Sequence, residues 1–277
     1  MGKEKIILKN IVDENFDKTS FYKRNLLKEY LQVLVLDYIY SNDKYSGLVF
    51  YGGTCLAHCF GLPRLSEDLD FVDTENGVNL EEMAADLKSF FKEKTDLLVD
   101  FKVQKFRIYL KFPILNELGL SSGSESDILV LKLEIFNDFG FCKKYQTQIK
   151  PLFKYNRSIL IKTFDLPTLM SAKIRAVLYR KWEKKNKYGE VIISAKGRDY
   201  FDLMWYLEKN IEPNFDCLGI KTKKELKEKL VDLVEKVDAD SVVLDLENFI
   251  ADKKFVMGLG KNIRGILKES ISKNLSE

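Results

Sequence analysis

Residue 165 divides this sequence into two kinds of periodicity, and that change limits the fold more than any single motif does. Before it, helical segments are interspersed with short apolar segments that run continuously or alternate with period two; after it, apolar residues recur every three or four positions to the end. The clearest strand signal is ILVLKLEIF at 128–136, with Leu129, Leu131, Leu133 and Ile135 on one face and Val130, Lys132 and Glu134 on the other. Strands are also expected at 48–51, 68–72, 99–112, 145–153 and 158–163, and a flexible loop at 119–126, GLSSGSES. Helices are expected at 13–41 with Ser20 as a cap, and from Asn79 to Lys94, where Asn79 and Glu82 have capping-box spacing. The second half reads as helices at 167–185, from Lys196 onward, and at 223–237, 241–251 (capped by Asp240) and 261–275. The order describes an α+β chain: a mixed sheet with packed helices over 1–164, then a helical C-terminal domain over 165–277.

A carboxylate pair beside a glycine turn carries the first chemistry. LVFYGGTCLAHCFGLPRLSEDLDFVD, residues 48–73, begins as a buried strand, turns at Gly52-Gly53 and continues into a short apolar segment closed by Gly61. Asp68 and Asp70 project together from the next strand while Leu69 and Phe71 enter the core. Two like charges about 4 Å apart repel by roughly 4 kcal/mol at an effective dielectric of about 20. A divalent cation between them removes that cost, and Glu134 in its apolar strand is the candidate third carboxylate around one or two Mg²⁺ ions.

The remaining polar signals are mixed. Lys173, Arg175, Arg180, Lys181, Lys184, Lys185 and Lys187 form the most basic stretch, in which Lys173 and Arg180 share one helix edge. Arg175, Lys184 and Lys187 read as a solvated face. Asp199 and Asp202, three apart in the first turn of the next helix, share a face on which one of them could serve only as a cap.

Net charge is +3, from 45 basic and 42 acidic residues, so bulk charge does not imply nucleic acid. The opening MGKEKIILKN lacks the pattern of a signal peptide, and no window approaches the roughly 18 apolar residues of a membrane span, so a soluble cytoplasmic protein is expected. Cys55, Cys59, Cys142 and Cys217 have neither zinc nor disulfide spacing and read as buried reduced thiols. His58, the single histidine, reads as a packed residue rather than a base.

Three blocks in order resemble the AbiEii nucleotidyltransferase family, toxins of abortive-infection and type IV toxin–antitoxin systems and a branch of the polymerase-β-like nucleotidyltransferases. They are Gly52-Gly53-Thr54 through Arg64, Ser66, Asp68 and Asp70; LPTLMSAKIRAVLYR with Lys173 and Arg180; and Lys196-Gly197-Arg198-Asp199-Tyr200-Phe201-Asp202-Leu203. They span residues 48–207, about three-fifths of the chain. The resemblance implies a polymerase-β-like mixed sheet followed by a helical half that completes the active site. It assigns Gly52, Gly53, Thr54 and Ser66 to the nucleotide phosphates, and Asp68, Asp70 and Glu134 to Mg²⁺ or Mn²⁺. Lys173 would neutralise the triphosphate, Asp199 would orient Lys173 or contact the nucleotide, Asp202 would brace its helix, and Arg64, Arg180 and Arg198 would support the site. NTP is the implied substrate, the tRNA 3′ end the implied acceptor, blocked translation the consequence, and a cognate antitoxin the partner. Two other readings are a nucleotidyltransferase acting on a small molecule or protein hydroxyl, and a non-catalytic nucleotide- or partner-binding module. The paired Asp68 and Asp70 argue against the last.

Overall fold

The computed structural model describes residues 2–121, 123, 127–140, 142–180, 183–185, 188–193 and 196–275. They form two compact units, one of residues 1–139 and 147–163, the other of residues 140–146 and 164–277.

The first unit opens with α1 (Lys3–Glu14) and α2 (Ser20–Tyr40). The helix expected over 13–41 begins only at Ser20, and α1 lies almost wholly before that range. Val12 accepts the closing bond from Asn15 N–H, and the Thr19 hydroxyl, rather than Ser20, caps α2 by accepting from the Tyr22 N–H. β1 (Val49–Tyr51), α3 (Gly52–Phe60), β2 (Leu69–Val72) and α4 (Leu80–Lys94) follow. Asn79 caps α4 as expected, accepting from the Glu82 N–H at 3.0 Å. The strand expected over 99–112 is a hairpin of β3 (Asp100–Gln104) and β4 (Arg107–Phe112), because Lys105 turns the chain with a φ of 56°. β5 (Leu129–Phe136), β6 (Thr147–Lys154) and β7 (Arg157–Phe164) complete a seven-stranded mixed sheet in the order β3-β4-β5-β2-β1-β7-β6.

β2 lies in the middle of that order, antiparallel to β1 and parallel to β5. Alternation then sorts the side chains: Leu69, Phe71, Ile108, Leu110, Phe112, Leu131 and Leu133 are buried on one face. The register sets Asp70 level with Glu134 on β5 and with Tyr51 on β1. It also sets Arg107 of β4 level with Glu134. The polar face thereby gathers groups that come from four separate strands.

The second unit contains α5 (Leu166–Tyr179), a small hairpin of β8 (Lys184–Lys185) and β9 (Val191–Ile193), then α6 (Gly197–Glu208), α7 (Lys223–Glu235), α8 (Ala239–Leu246) and α9 (Lys253–Asn274). Asp165 caps α5 by accepting from the Thr168 N–H. This helix ends at Tyr179, short of the expected Lys185, and Lys184 and Lys185 lie in a strand instead. Lys181 and Lys187 fall outside the described residues. Asp238, not Asp240, caps α8, and α9 begins at Lys253 under Asp252, eight residues before the expected start. α6 packs against α8 at Gly197, where a methyl group would stand 2.6 Å from the Val242 carbonyl oxygen. Cys142 and Cys217 are joined in a disulfide, which corrects the expectation of four free thiols; Cys55 and Cys59 are free. The two bonded residues are 75 apart in sequence, so no local spacing could announce the pair.

Candidate active site

Gly52 begins α3 with a φ of +81°, a left-handed conformation that favours glycine. A methyl group there would also overlap the Asp70 carboxylate, so this carboxylate rests against bare backbone. At Gly53 a methyl would stand 2.6 Å from the Arg64 guanidinium and 3.1 Å from the Ser66 hydroxyl. The absence of a side chain thus brings an arginine and a hydroxyl against the first turn of a nine-residue helix, whose free N–H groups favour anions. Arg64 is buried and donates to the Leu65 carbonyl oxygen at 2.8 Å, which fixes its direction. Lys28 reaches Glu67 at 3.3 Å, and the Gln32 amide donates to the Ser66 and Glu67 carbonyl oxygens.

The Thr54 side chain is buried, and its hydroxyl donates to the Asp68 carbonyl oxygen and so ties α3 to the start of β2. His58 is held as a packed residue: its Nε2 meets Gln32 Oε1 at 3.1 Å, Nδ1 has no partner among the described residues, and burial pulls its pKa down to about 3.

Asp68 stands immediately before β2 and Asp70 within it, as the alternation requires. Glu134 stands level with Asp70 on the neighbouring strand. Its Oε1 accepts from Lys132 Nζ at 2.9 Å and from Arg107 Nε at 2.7 Å, and Lys132 Nζ also reaches Asp68 Oδ2 at 2.9 Å. Burial works to raise the Glu134 carboxyl, but Lys132 and then Arg107 outweigh it and hold its pKa below the usual carboxylate value. Burial works to lower the Lys132 ammonium, and Asp68 and Glu134 raise it instead. Among the described residues no three acid, histidine or cysteine side chains converge as metal ligands. Asp68 and Asp70 remain a pair of hard oxygen donors, and the chemistry of that pair fits one Mg²⁺ or Mn²⁺.

The second unit holds its own charged cluster. Lys173 Nζ meets Asp199 Oδ1 at 2.7 Å and Asp202 Oδ2 at 2.8 Å, and Arg180 Nη1 meets Asp199 Oδ2 at 3.2 Å. Burial alone would raise the Asp199 carboxyl; Lys173, then Lys196 and Arg180, hold it far below the usual range. Asp202 therefore does more than brace its helix, because it shares the Lys173 ammonium with Asp199. Arg198 turns to Asp245, contacting it through backbone N–H and Nε, and lies 4.1 Å from the Phe249 ring centre. Arg175 donates to the Leu218 carbonyl oxygen and stacks on Tyr179, rather than joining a solvated face.

The profile of the family described as "Nucleotidyl transferase AbiEii toxin, Type IV TA system" matches residues 36–260. The chain belongs to that family. It is thereby a nucleotidyltransferase of a toxin–antitoxin system, with an NTP and an antitoxin as the partners that membership implies. No curated protein matches the sequence. Two crystal structures from Helicobacter pylori are similar. JHP933 is 18% identical, with 90% of this chain and 94% of that one covered and a TM-score of 0.50. A protein described provisionally as a nucleotidyltransferase is 18% identical, with 90% and 96% covered and a TM-score of 0.48. At that identity JHP933 speaks for the fold alone. Among the described residues no helix of this AbiEii-family chain is long and apolar enough to cross a membrane.

Residue pattern alone did not single out Lys132 and Arg107. Alternation already put Lys132 on the face of Glu134, and that signal was available. Arg107 became visible only through the pairing of β4 with β5, which no local pattern encodes.

Proposed function

We propose that this protein transfers a nucleotidyl group from an NTP to an acceptor hydroxyl, most directly the 3′ end of tRNA, and arrests growth by blocking translation in the cytoplasm. The observation that carries the reading is the convergence of the Arg64 guanidinium and Ser66 hydroxyl on the bare Gly53 turn at the head of α3, with Asp68 and Asp70 on the adjoining strand. In this reading Gly53, Ser66, Arg64 and the α3 N–H groups receive phosphate oxygens. The acceptor oxygen forms a bond to the α-phosphorus, the α–β bridging P–O bond breaks, and pyrophosphate leaves with the bonding electrons while the hydroxyl proton passes to solvent. Asp68 and Asp70 would hold a divalent ion, which supplies charge stabilisation to the phosphates when bound. Asp70, fixed against Gly52 and level with Tyr51 and Glu134, is kept from turning away.

The family pattern, not a distance, links Lys173 and Asp199 to the same reaction. Lys173 is assigned to the triphosphate and Asp199 to holding Lys173. The tRNA acceptor likewise rests on family membership, since the basic stretch after Lys173 is not one continuous helix.

The test is incubation with each α-labelled NTP, Mg²⁺ and total tRNA, beside the Asp70→Ala variant. Label on RNA 3′ ends with the natural protein and none with the variant is expected. Label on protein instead would remove the tRNA acceptor, and equal label from both proteins would remove Asp70 from the chemistry.

A further inference from the structure

Glu134 looks like the third carboxylate of a metal cluster in the sequence, yet the structure commits one of its oxygens to two cations. Oε1 receives Lys132 Nζ at 2.9 Å and Arg107 Nε at 2.7 Å. The same ammonium reaches across to Asp68 Oδ2 at 2.9 Å. This is a consequence of register. β2 and β5 run parallel with Leu69 beside Leu133 and Asp70 beside Glu134, so Lys132 is carried level with Asp68. Arg107 is carried level with Glu134 by the neighbouring strand, and its guanidinium is held over the Phe106 ring at 4.4 Å from the ring centre.

We infer that Lys132 is a built-in second cation, and that the carboxylate face takes one divalent ion, on Asp68 and Asp70, where a three-carboxylate site would take two. This rests on the nucleotidyl-transfer reading above. Charge balance supports it. Three carboxylates holding two divalent ions carry one net positive charge. Three carboxylates with Lys132, Arg107 and one divalent ion carry the same. A second divalent ion added to the standing lysine and arginine would bring the face to three positive charges, and it would have to evict Lys132 from Glu134. An ammonium cannot reproduce an ion's octahedral coordination, but it is a compact point charge with three donors, and phosphate oxygens accept from it readily. Lys132 is thus positioned to meet a phosphate oxygen of the bound nucleotide while still braced by Glu134. Glu134 becomes a positioning residue for Lys132 rather than a metal ligand.

The experiment counts ions. Mn²⁺ is titrated into the full-length protein with a saturating α,β-imido nucleoside triphosphate, each of the four bases in turn, and free Mn²⁺ is read by its electron paramagnetic resonance signal. One tight Mn²⁺ per bound analogue is expected for the natural protein and for Lys132→Arg, and two for Lys132→Met, in which Glu134 has lost one of its two cations. Two ions on the natural protein would overturn the inference and leave nucleotidyl transfer standing. One ion on Lys132→Met, with folding verified by circular dichroism, would also overturn it, since Lys132 would then not be what excludes the second. An analogue that does not bind, or binds without any Mn²⁺, would overturn the proposed function and this inference with it.

Discussion

Replacing Lys173 by methionine separates structure from chemistry in the second unit. The ammonium meets Asp199 at 2.7 Å and Asp202 at 2.8 Å, and these side chains are only 6% and 0% exposed. Methionine preserves the stem and removes the charge, leaving two enclosed carboxylates without that partner. Removing one member of a buried ion pair costs about 3–5 kcal/mol. With a urea m-value of about 2 kcal/mol per molar, the unfolding midpoint of this unit should fall by roughly 2 M. Trp205 is buried on the helix that carries Asp199 and Asp202. Its indole emission therefore follows the affected helix. A double-mutant cycle with Asp202→Asn should return a coupling of roughly 2 kcal/mol. The pH sign follows from the depressed Asp199 carboxyl: its contribution is complete above the unfolded-chain value near 4 and disappears as pH falls through the folded value. A midpoint shift equivalent to less than 1 kcal/mol, with no coupling, would refute the argument. Activity lost in Lys173→Met can be assigned to the nucleotide only at urea-free conditions where emission shows the unit folded.

Two further outcomes follow from the first unit. His58 stays neutral in the folded state down to about pH 3, whereas an unfolded histidine gains its proton near pH 6.5, so stability should fall by about 1.4 kcal/mol per pH unit below 6.5, roughly 2 kcal/mol by pH 5. Chemical unfolding at pH 7, 6 and 5 should show that slope reduced in His58→Gln, and an unchanged slope would contradict it. Gly52→Ala forces a side chain into a φ of +81° and into the Asp70 carboxylate; the backbone alone costs about 1–2 kcal/mol. NTP binding by calorimetry should be lost in Gly52→Ala while the protein stays folded, and full affinity would refute the close approach.

The strands were legible wherever alternation was strong, as at 128–136, and a helix start was legible where a capping side chain had no competitor, as at Asn79. Caps failed where two candidates lay within two residues: Thr19 took the role from Ser20 and Asp238 from Asp240, since backbone direction, not residue type, decides between them. The hairpin turn at Lys105 was hidden because lysine is not a turn residue, and the disulfide because its halves are distant in sequence. Among the candidate site residues, Gly52, Gly53, Arg64, Ser66 and Asp70 come together as their spacing implied. Thr54 and Glu134 have partners that their own positions did not announce: the Asp68 carbonyl oxygen for one, Lys132 and Arg107 for the other. One-dimensional patterns fix which face a side chain occupies. They do not say which neighbour claims it first.

β2 is the fourth of seven strands, hydrogen-bonded on both sides, and its Leu69, Phe71 and Val72 are fully enclosed. Segments of this kind open only with the whole domain, and their amides exchange at the global unfolding free energy. A toxin whose Asp70 strand sits there has no fraying edge through which that strand could be melted locally. Its restraint must come from occupying or modifying the polar face, or from limiting how much of the chain exists, because loosening that strand would dismantle the unit that carries it.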